Sequence, residues 1–282
     1  MAELKNTNNA DISIPLVRHM ILNTIRSVRT KFKAEYGEVV LAVDSKHYWR
    51  KEAFPYYKQN RKKSRSQSVY NWDQIFAAIN EVKSDLDQYF PYPFVDVHGC
   101  EADDVIATLV EWTNENEHQD NGLESGPQPV LIVSGDHDFI QLQKYSHVQQ
   151  YSPIHKKWIK SEGKISEMLV EHILRGDDGD GIPNFLSDDD TFVEEKKRQK
   201  SIFKKDMDVW RTESLEKWNT TPHWEKIQRN KKLIDLQHTP DELKEQIISK
   251  YLNDRGRRDR TQLINYFMHN KMPLMMQCAG EF

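Results

Sequence analysis

The sequence contains little cysteine and has no long apolar run. The two cysteines among its 282 residues, Cys100 and Cys278, cannot by themselves form a disulfide framework or a zinc-binding set, which favours a reducing cytosolic compartment. No apolar run approaches the ~18 residues of a membrane-spanning helix, so we expect no membrane association. The N-terminal stretch MAELKNTNNADIS is polar and lacks the apolar segment of a signal peptide.

The chain also lacks a strong net charge, since 40 Lys and Arg face 44 Asp and Glu. The total of −4 does not by itself indicate a nucleic-acid partner, although the distribution of charge along the chain does. Aromatic residues are plentiful, with 7 Trp, 11 Tyr and 11 Phe, and they exclude a disordered chain.

Apolar spacing indicates alternating strands and helices in the first part of the chain, which predicts an α/β domain with a mostly parallel sheet. The predicted helices span 15–32, 73–89 and 101–112, and the predicted strands span 37–44, 93–97, 130–136 and 147–151. Residues 116–129 have turn signals and no periodicity, so we expect a surface loop there. From about residue 165 the pattern is polar and helical, which places an α/β domain over 1–164 and a helical region over 165–282.

Acidic residues follow three of the predicted strands. Ligands bind outside the carboxyl ends of strands in open parallel sheets, so these acids are expected to converge on one edge. A Gly-rich turn, GDDGDGIP at 176–183, adds further acids. The nine candidates are Asp44, Glu101, Asp103, Asp104, Asp136, Asp138, Asp177, Asp178 and Asp180.

Carboxylates crowded in this way repel one another unless cations relieve them. Oxygen-only ligation suits Mg²⁺ or Mn²⁺, and two such ions ~4 Å apart could stabilise the attacking and leaving oxygens of a phosphodiester displacement. Each motif alone has a simpler interpretation: Glu101 and Asp103 could be ordinary first-turn acids of a helix, and DGDG could be an ordinary turn. The turn is not an EF-hand, because no Glu closes the loop.

Residues 46–65, KHYWRKEAFPYYKQNRKKSR, combine many bases with a single acid, Glu52. The bases are Lys46, Arg50, Lys51, Lys58, Arg61, Lys62, Lys63 and Arg65, and the interleaved aromatics are Tyr48, Trp49, Phe54, Tyr56 and Tyr57. Bases of this kind track phosphates and aromatics stack on exposed nucleobases. The alternative is a solvated helix with a few buried rings. The segment follows Asp44 directly, so we expect it to lie over the acids.

Three motifs, EADD at 101–104, SGDHDFIQL at 134–142 and GDDGDGIP at 176–183, follow one another in an order and spacing found in one family. With them, the chain resembles the 5′ nucleases, which include flap endonucleases and the 5′-exonuclease domains of bacterial DNA polymerases, over about 15–282. The stretches VRHMILN at 17–23, YYKQNR at 56–61 and YSPIHKKWIK at 151–160 are similar to the ribonuclease H branch of T-even phages.

The resemblance implies a PIN-like α/β fold with a basic helical arch at 46–70 and a helix–three-turn–helix that grips duplex backbone. It assigns Asp44, Glu101, Asp103 and Asp136 to a first metal ion and Asp138, Asp177 and Asp180 to a second, with Asp104 nearby. Lys58 and Arg61 would act on the scissile phosphate and Tyr57 would stack on a terminal base. The amides of the 173–185 turn, with a K⁺ ion, would face phosphates. The implied nucleic-acid contacts are Arg50, Lys51, Tyr57, Lys58, Arg61, Lys62, Lys63, Arg65, Gly179 and Gly181.

The implied activity is that of a Mg²⁺-dependent 5′-3′ exonuclease and flap endonuclease acting on duplex DNA and RNA–DNA hybrids. It would remove RNA primers in phage lagging-strand replication, as a monomer in the host cytoplasm. A single-strand-binding protein and a sliding clamp are the implied partners. The apolar tail, residues 271–282, either packs onto its own surface or docks such a partner.

Two departures from the family pattern stand out. Gly181 occupies a position where the family has Asn, so a side-chain hydrogen bond is absent from the turn. The family's first strand, which carries another metal-ligand Asp, is missing here or begins upstream, and Asp11 lies in no apolar strand that could replace it. This second departure keeps open a duplex-binding protein with impaired catalysis. A haloacid-dehalogenase-like phosphatase, suggested by DHD at 136–138, is disfavoured because that motif follows the third predicted strand.

Overall fold

The computed structural model describes residues 13–120, 125–256 and 260–282. Its helices are α1 (Ile14–Tyr36), α2 (Trp49–Ala53), α3 (Asn60–Ser66), α4 (Trp72–Tyr89), α5 (Ala102–Asn116), α6 (Ile165–Arg175), α7 (Lys204–Trp210), α8 (Trp224–Ile234), α9 (Asp241–Asp254), α10 (Thr261–His269) and α11 (Pro273–Gln277). Its strands are β1 (Leu41–Val43), β2 (Phe94–Asp96), β3 (His118–Asp120), β4 (Ser125–Pro127), β5 (Val130–Val133), β6 (Val148–Ser152) and β7 (Lys157–Ile159). Short 3₁₀ helices span His137–Lys144, Leu215–Trp218, Leu236–His238 and Ala279–Glu281.

The α/β fold class is confirmed, with a smaller and more mixed sheet than predicted. Strand β1 pairs with β2, β3 with β4, and β5–β6–β7 form a third sheet. Within the third sheet β5 and β6 are parallel, whereas β7 returns antiparallel to β6 after a short turn. The loop prediction for 116–129 is wrong, because β3 and β4 pair antiparallel there. These short polar strands have no apolar alternation, so their pairing leaves no signal in the sequence.

The chain forms two compact units that interleave in sequence. The first unit draws its described residues from Met1–Leu41, Ser64–Phe94 and Tyr251–Phe282, and the second comprises Ala42–Lys63 and Val95–Lys250. The predicted boundary between 164 and 165 falls inside the second unit, and that two-part division stays a prediction. The expectation about a first family strand concerns residues 1–12, Asp11 among them, which lie outside the described residues.

Helix α1 of the first unit begins and ends at clear sequence signals. The Ser13 side chain accepts a hydrogen bond from the Leu16 amide, Pro15 occupies the first turn, and Gly37 ends the helix at φ 80°. Its buried Arg18 is paired, because the guanidinium donates to the carboxylates of Glu81 and Asp85 in α4. Ion pairs therefore help to hold α1 against α4 in the first unit.

The apolar tail of the chain packs within the first unit. Phe282 is fully buried, with its ring 5.7 Å from Phe90 and 5.3 Å from Phe267 between centroids. Met275 is buried as well. This placement agrees with the first of the two interpretations of residues 271–282, in which the tail covers its own surface.

The second unit contains the candidate site and builds it on an aromatic and aliphatic core. Phe185 packs edge-to-face against Trp210 and Trp218, next to buried residues of α6 and α8. Helix α6 has an apolar side that includes the buried Ile173 and Leu174, so its C-terminal end and the turn after it are held in place. Among the residues that the structure describes, no helix has the length and apolar content needed to cross a bilayer.

Candidate metal centre

Two of the acids predicted at strand ends accept hydrogen bonds from backbone amides at the starts of helices in the second unit. Asp44, just after β1, accepts a hydrogen bond from the Ala102 amide at 2.8 Å, which joins this strand end to the start of α5. Asp136, just after β5, accepts one from the Asp138 amide at 3.1 Å and begins the 3₁₀ helix. Backbone capping therefore fixes where both carboxylates lie.

A buried arginine holds the two carboxylates at the start of α5. Arg50 is 2% exposed, and its Nη1 lies 3.0 Å from Glu101 Oε2 and 2.9 Å from Asp104 Oδ2. Its Nε donates to the Leu233 carbonyl at 2.9 Å. Burial alone would lower the pKa of Arg50, but the neighbouring carboxylates outweigh it and raise the pKa. This placement argues against the predicted contact of Arg50 with nucleic acid, because the guanidinium is enclosed and committed to Glu101 and Asp104.

Asp104 also departs from its predicted role near the metal ions. One carboxylate oxygen accepts from Trp49 Nε1 at 3.2 Å and from Thr239 Oγ1 at 2.8 Å. The other accepts from the Glu101 amide at 2.9 Å, completing a reciprocal cap of α5. With both oxygens fully buried among donors, Asp104 orients its neighbours and offers no oxygen to a cation.

Tyr57 lies between two of the candidate ligands. Its hydroxyl oxygen is 3.0 Å from Glu101 Oε2 and 2.8 Å from Asp180 Oδ2. Burial, and then the charges of Asp180 and Glu101, raise the pKa of Tyr57, so the hydroxyl stays a donor. The ring is 2% exposed and belongs to the apolar core, which argues against the predicted stacking on a terminal base.

Lys58 and Arg61 lie directly beside the acids. Lys58 Nζ is 2.5 Å from Glu101 Oε1 and 3.6 Å from Asp180 Oδ2. Burial would lower the pKa of Lys58, but Asp180 and Glu101 outweigh it and raise the pKa, so the side chain stays charged. Lys58 adopts φ 57°, and its amide donates to the Asp180 carbonyl at 2.7 Å. The Arg61 guanidinium pairs with the Asp180 carboxylate and donates to the Gly179 carbonyl at 3.0 Å.

A histidine that the sequence did not single out lies between two further acids. His172, in the last turn of α6, places Nδ1 3.6 Å from Asp138 Oδ1 and Nε2 3.4 Å from Asp177 Oδ2. One donor atom from each of the three side chains lies within 4.8 Å of the others. A lone histidine on an amphipathic helix carries no signal of its own. Its spacing before the Gly-rich turn, which brings the last helical turn next to the acids, is the clue that could have identified it.

Burial and mutual repulsion shift the titration of the acids. Burial raises the pKa of Asp138 to about 7 although His172 opposes it, and Asp136, Asp177 and Asp180 add to the rise. Burial likewise raises the pKa of Asp103 to about 7, against Lys58 and with a contribution from Glu101. Hydrogen bonds from His172 and from turn amides outweigh burial at Asp177 and lower its pKa.

The turn after α6 depends on two glycines with positive φ. Gly176 has φ 72°, and a Cβ there would lie 2.2 Å from the Ile182 carbonyl oxygen. Gly181 has φ 71°, and a Cβ there would lie 3.2 Å from Asn60 Oδ1 and 3.3 Å from the Tyr56 carbonyl oxygen. A side chain in place of Gly181 would therefore be strained and crowded.

Backbone amides of the Gly-rich turn donate hydrogen bonds to acceptors within the same turn. The Asp180 amide donates to Asp177 Oδ1 at 3.0 Å, and the Gly181 amide donates to the Asp178 carbonyl at 3.3 Å. Gly181 is buried, and Gly179 is exposed with its carbonyl bonded to Arg61. These bonds argue against the prediction that the amides of Gly179 and Gly181 face phosphates, since the Gly179 amide also turns toward Asp177.

Two buried amide side chains support the site, and sequence reasoning missed both. Gln150 of β6 donates to the carbonyls of Ser134 and Asp136 at 3.1 and 2.6 Å, which fixes the chain after β5. Asn230 of α8 donates to the carbonyls of Ile173 and Pro183 at 2.8 and 3.0 Å, on either side of the Gly-rich turn. Their partners are distant in sequence, so no local pattern reveals them.

The remaining predicted nucleic-acid contacts are exposed bases. Lys51, Lys62 and Lys63 lie on the surface of the second unit, and Lys63 pairs with Glu195 at 3.1 Å. Arg65 belongs to the first unit, where its guanidinium lies 4.9 Å from the centre of the Phe76 ring. Their contact with nucleic acid stays a prediction.

The donor set fits hard divalent cations. It brings together carboxylates whose charges oppose one another, and two of them have pKa values raised to about 7. A cation bound among such oxygens would relieve the repulsion, and carboxylate ligation favours Mg²⁺ or Mn²⁺ over softer ions. Lys58 and Arg61 add positive charge at the same place, which is suited to a substrate carrying phosphate.

Comparison with known proteins covers the whole chain in two parts. Residues 2–171 match the family described as 5′-3′ exonuclease, N-terminal resolvase-like domain, and residues 164–282 match the family described as T4 RNase H, C terminal. The ribonuclease H of Enterobacteria phage T4 is 30% identical over 279 residues, which is 96% of this chain and 88% of that protein.

Solved structures of bacteriophage T5 proteins share the fold. A flap endonuclease variant in a pseudo-enzyme-product complex with DNA and metal ions matches with a TM-score of 0.65 and 17% identity, over 90% of this chain and 95% of that one. A T5 protein co-crystallised with metal ions matches with a TM-score of 0.60 and 17% identity, over 84% of this chain and 92% of that one.

Proposed function

Because this chain belongs to the 5′-3′ exonuclease family with a C-terminal domain of the phage RNase H type, we propose that it is a divalent-metal-dependent 5′-3′ exonuclease and flap endonuclease. Its substrates are duplex DNA and RNA–DNA hybrids, and its role is the removal of RNA primers during phage lagging-strand replication in the host cytoplasm. The observation that supports this most is that Lys58 joins a carboxylate at the start of α5 to one in the Gly-rich turn, while Asp44 after β1 is bonded to the same start of α5.

Two Mg²⁺ ions, for which Mn²⁺ can substitute, would be held by seven carboxylates. Asp44, Glu101, Asp103 and Asp136 would serve the first ion, and Asp138, Asp177 and Asp180 the second. When bound, the ions supply Lewis-acid activation of the attacking water and neutralise charge on the leaving oxygen. Asp104 is left out of this set, because both of its oxygens are occupied.

The chain's own residues orient this centre and receive the substrate. Arg50 and Tyr57 fix the Glu101 carboxylate through hydrogen bonds of 3.0 Å each. Lys58 stays protonated among the acids and, with Arg61, offsets the charge that develops on the scissile phosphate. The exposed bases Lys51, Lys62 and Lys63, with Arg65 of the first unit, contact the nucleic-acid backbone.

Two alternative functions, a phosphatase and a duplex-binding protein with impaired catalysis, differ in their support. The dehalogenase-like phosphatase loses its support, because family membership covers the chain and the DHD stretch begins a 3₁₀ helix after β5. Impaired catalysis remains an outcome of the test below. The K⁺ ion, the sliding clamp, the single-strand-binding protein and the monomeric state remain predictions.

The proposal is tested with a 5′-labelled flap duplex and a matched RNA–DNA hybrid. We expect the chain to release short 5′ products with Mg²⁺ and none with EDTA, and Asp136→Asn to abolish release while still binding the duplex. Asp96→Asn changes another exposed acid at a strand end and should cleave like the wild type. Duplex binding without cleavage by the wild type would contradict the proposed activity and favour the impaired binding protein.

A further inference from the structure

Among the described residues, His172 is the histidine that lies together with Asp138 and Asp177 in a group able to hold a metal ion. The three belong to different elements: the 3₁₀ helix after β5, the last turn of α6, and the Gly-rich turn. The group is therefore assembled by the tertiary fold, not by one local segment.

The donor atoms of this group lie close enough together to serve one cation. The imidazole nitrogens lie 3.6 Å from Asp138 Oδ1 and 3.4 Å from Asp177 Oδ2. Both separations are longer than the ~2.7–3.2 Å of a strong hydrogen bond, so the contact of the ring with Asp177 is a weak one. One ring nitrogen and one oxygen from each carboxylate lie within 4.8 Å of one another, which small movements would bring to the ~4.2 Å or less that separates two ligands ~2.1 Å from the same ion.

The imidazole is accessible as well as held. It lines two adjoining cavities of about 350 and 610 Å³, one of them also lined by Asp138 and the other by Asp177. The C-terminal end of α6, which carries His172, is held by Asn230, because the Asn230 side-chain amide donates to the Ile173 carbonyl at 2.8 Å. An ion can thus reach a preformed donor group from solvent.

We propose that His172 is a direct nitrogen ligand of the divalent ion held by Asp138 and Asp177, a step that rests on the proposed function. With one ring nitrogen on the ion, the other N–H would donate to a neighbouring oxygen, as is usual for histidine ligands. A mixed nitrogen and oxygen site prefers Mn²⁺ to Mg²⁺ more strongly than a carboxylate-only site does.

The test uses the full chain, freed of metal and then loaded with Mn²⁺. Electron spin-echo spectroscopy of the bound Mn²⁺ should show coupling to a ¹⁴N nucleus, and ¹⁵N-labelling of histidine should replace it with ¹⁵N coupling. In His172→Asn the coupling should vanish, and Mn²⁺ affinity should fall by ~10–100-fold or more, with a smaller fall for Mg²⁺. His155→Asn, at an exposed turn residue, should retain both properties.

Other outcomes overturn the ligand assignment or the function separately. Bound Mn²⁺ without nitrogen coupling in the wild type, or equal coupling in His172→Asn, overturns the assignment, even where affinity changes. His172→Gln provides a second variant of similar volume if His172→Asn does not fold. Flap cleavage is measured in parallel: cleavage without nitrogen coupling overturns only the assignment, whereas nitrogen coupling without cleavage overturns the proposed function.

Discussion

Acidic side chains such as Glu81, Asp85 and Glu38 are paired with arginines in the first unit, whereas those around Asp138 in the second unit are crowded against one another. In the first unit, the Arg18 guanidinium lies 2.6 Å from Glu81 and 3.0 Å from Asp85, and Arg29 lies 2.9 Å from Glu38. In the second, Asp138 has Asp136, Asp177 and Asp180 as charged neighbours of the same sign.

The two arrangements shift titration in opposite directions. Hydrogen bonds from Arg29 lower the pKa of Glu38 to about 2, whereas burial and like charges raise the pKa of Asp103 and Asp138 to about 7. Pairing stabilises a fold, while crowding destabilises it and is retained where cations are to be bound. The paired acids of the first unit therefore contribute to its stability, and we propose that the acids crowded around Asp138 in the second unit serve a metal centre.

Arg50 is a buried site of pairing in the second unit, and its removal should have the largest effect. Arg50→Met leaves Glu101 and Asp104 buried without their cation, which we expect to cost about 3–5 kcal/mol of unfolding free energy. Urea denaturation measures it. The matched control Lys51→Met, at an exposed neighbour, should stay within ~0.5 kcal/mol of the wild type. A mild effect of Arg50→Met would mean that the acids of α5 do not need the pairing.

Replacing one acid in each unit separates structural from functional roles. Asp85→Asn weakens the bonds that the carboxylate accepts from Arg18 and Tyr266, so stability should fall by about 1–3 kcal/mol with cleavage retained. Asp138→Asn should reduce cleavage by ~100-fold or more without loss of stability in EDTA. The reverse pattern, with Asp138→Asn unfolding and Asp85→Asn inactive, would invert the comparison.

The pH dependence of stability should have opposite signs in the two units when metal is removed. The folded-state pKa of Asp103 is raised from 3.8 to about 7, so its ionisation destabilises the fold increasingly from pH 4 to 7. Asp103→Asn should therefore gain stability relative to the wild type as pH rises through this window. Urea denaturation in EDTA at several pH values measures the difference.

Glu38 should show the converse. Its pKa is lowered from 4.5 to about 2, so its contribution is present above pH 4.5 and is lost as pH falls toward 2. The cost of Glu38→Gln should accordingly be largest near neutral pH and shrink in acid, reduced by solvent screening because the side chain is half-exposed. Parallel pH profiles for the two variants would contradict the distinction between pairing and crowding.

Exposed bases should give the smallest effect. Lys62→Ala removes one predicted phosphate contact, so the slope of log affinity against log salt for duplex binding should fall by ~1. Unfolding free energy should change by less than ~0.5 kcal/mol. Lys31→Ala, at an exposed lysine of α1, should leave the slope unchanged. An unchanged slope for Lys62→Ala would remove this side chain from the proposed nucleic-acid surface.

Local pattern was sufficient for the main helices and for the placement of the acids. The helices predicted over 15–32, 73–89 and 101–112 correspond to α1, α4 and α5, because an apolar stripe at helical spacing needs no distant partner to be recognised. The acids at 44 and 136 follow β1 and β5 as predicted, since strand ends set where the next element begins.

Burial of polar groups could not be predicted in the same way. Arg50 and Tyr57 stand in a basic, aromatic stretch that suggests an exposed surface, yet their partners are residues such as Glu101, Asp180 and Leu233, far along the chain. His172 and Gln150 likewise act through tertiary contacts. Which side chains of a charged segment are buried depends on tertiary contacts, so local sequence pattern does not predict it.

The most direct test of the central claim is the thermal stability of the full chain in EDTA and in rising Mg²⁺. Ions that bind the folded second unit should stabilise it by about 2.7 kcal/mol at 100 times their dissociation constant. We predict this gain in the wild type and in Asp85→Asn, and a clearly smaller gain in Asp138→Asn, which removes a ligand of one of the two proposed ions. An absence of stabilisation in the wild type, or an equal gain in Asp138→Asn, would contradict the claim that the crowded acids form a metal centre.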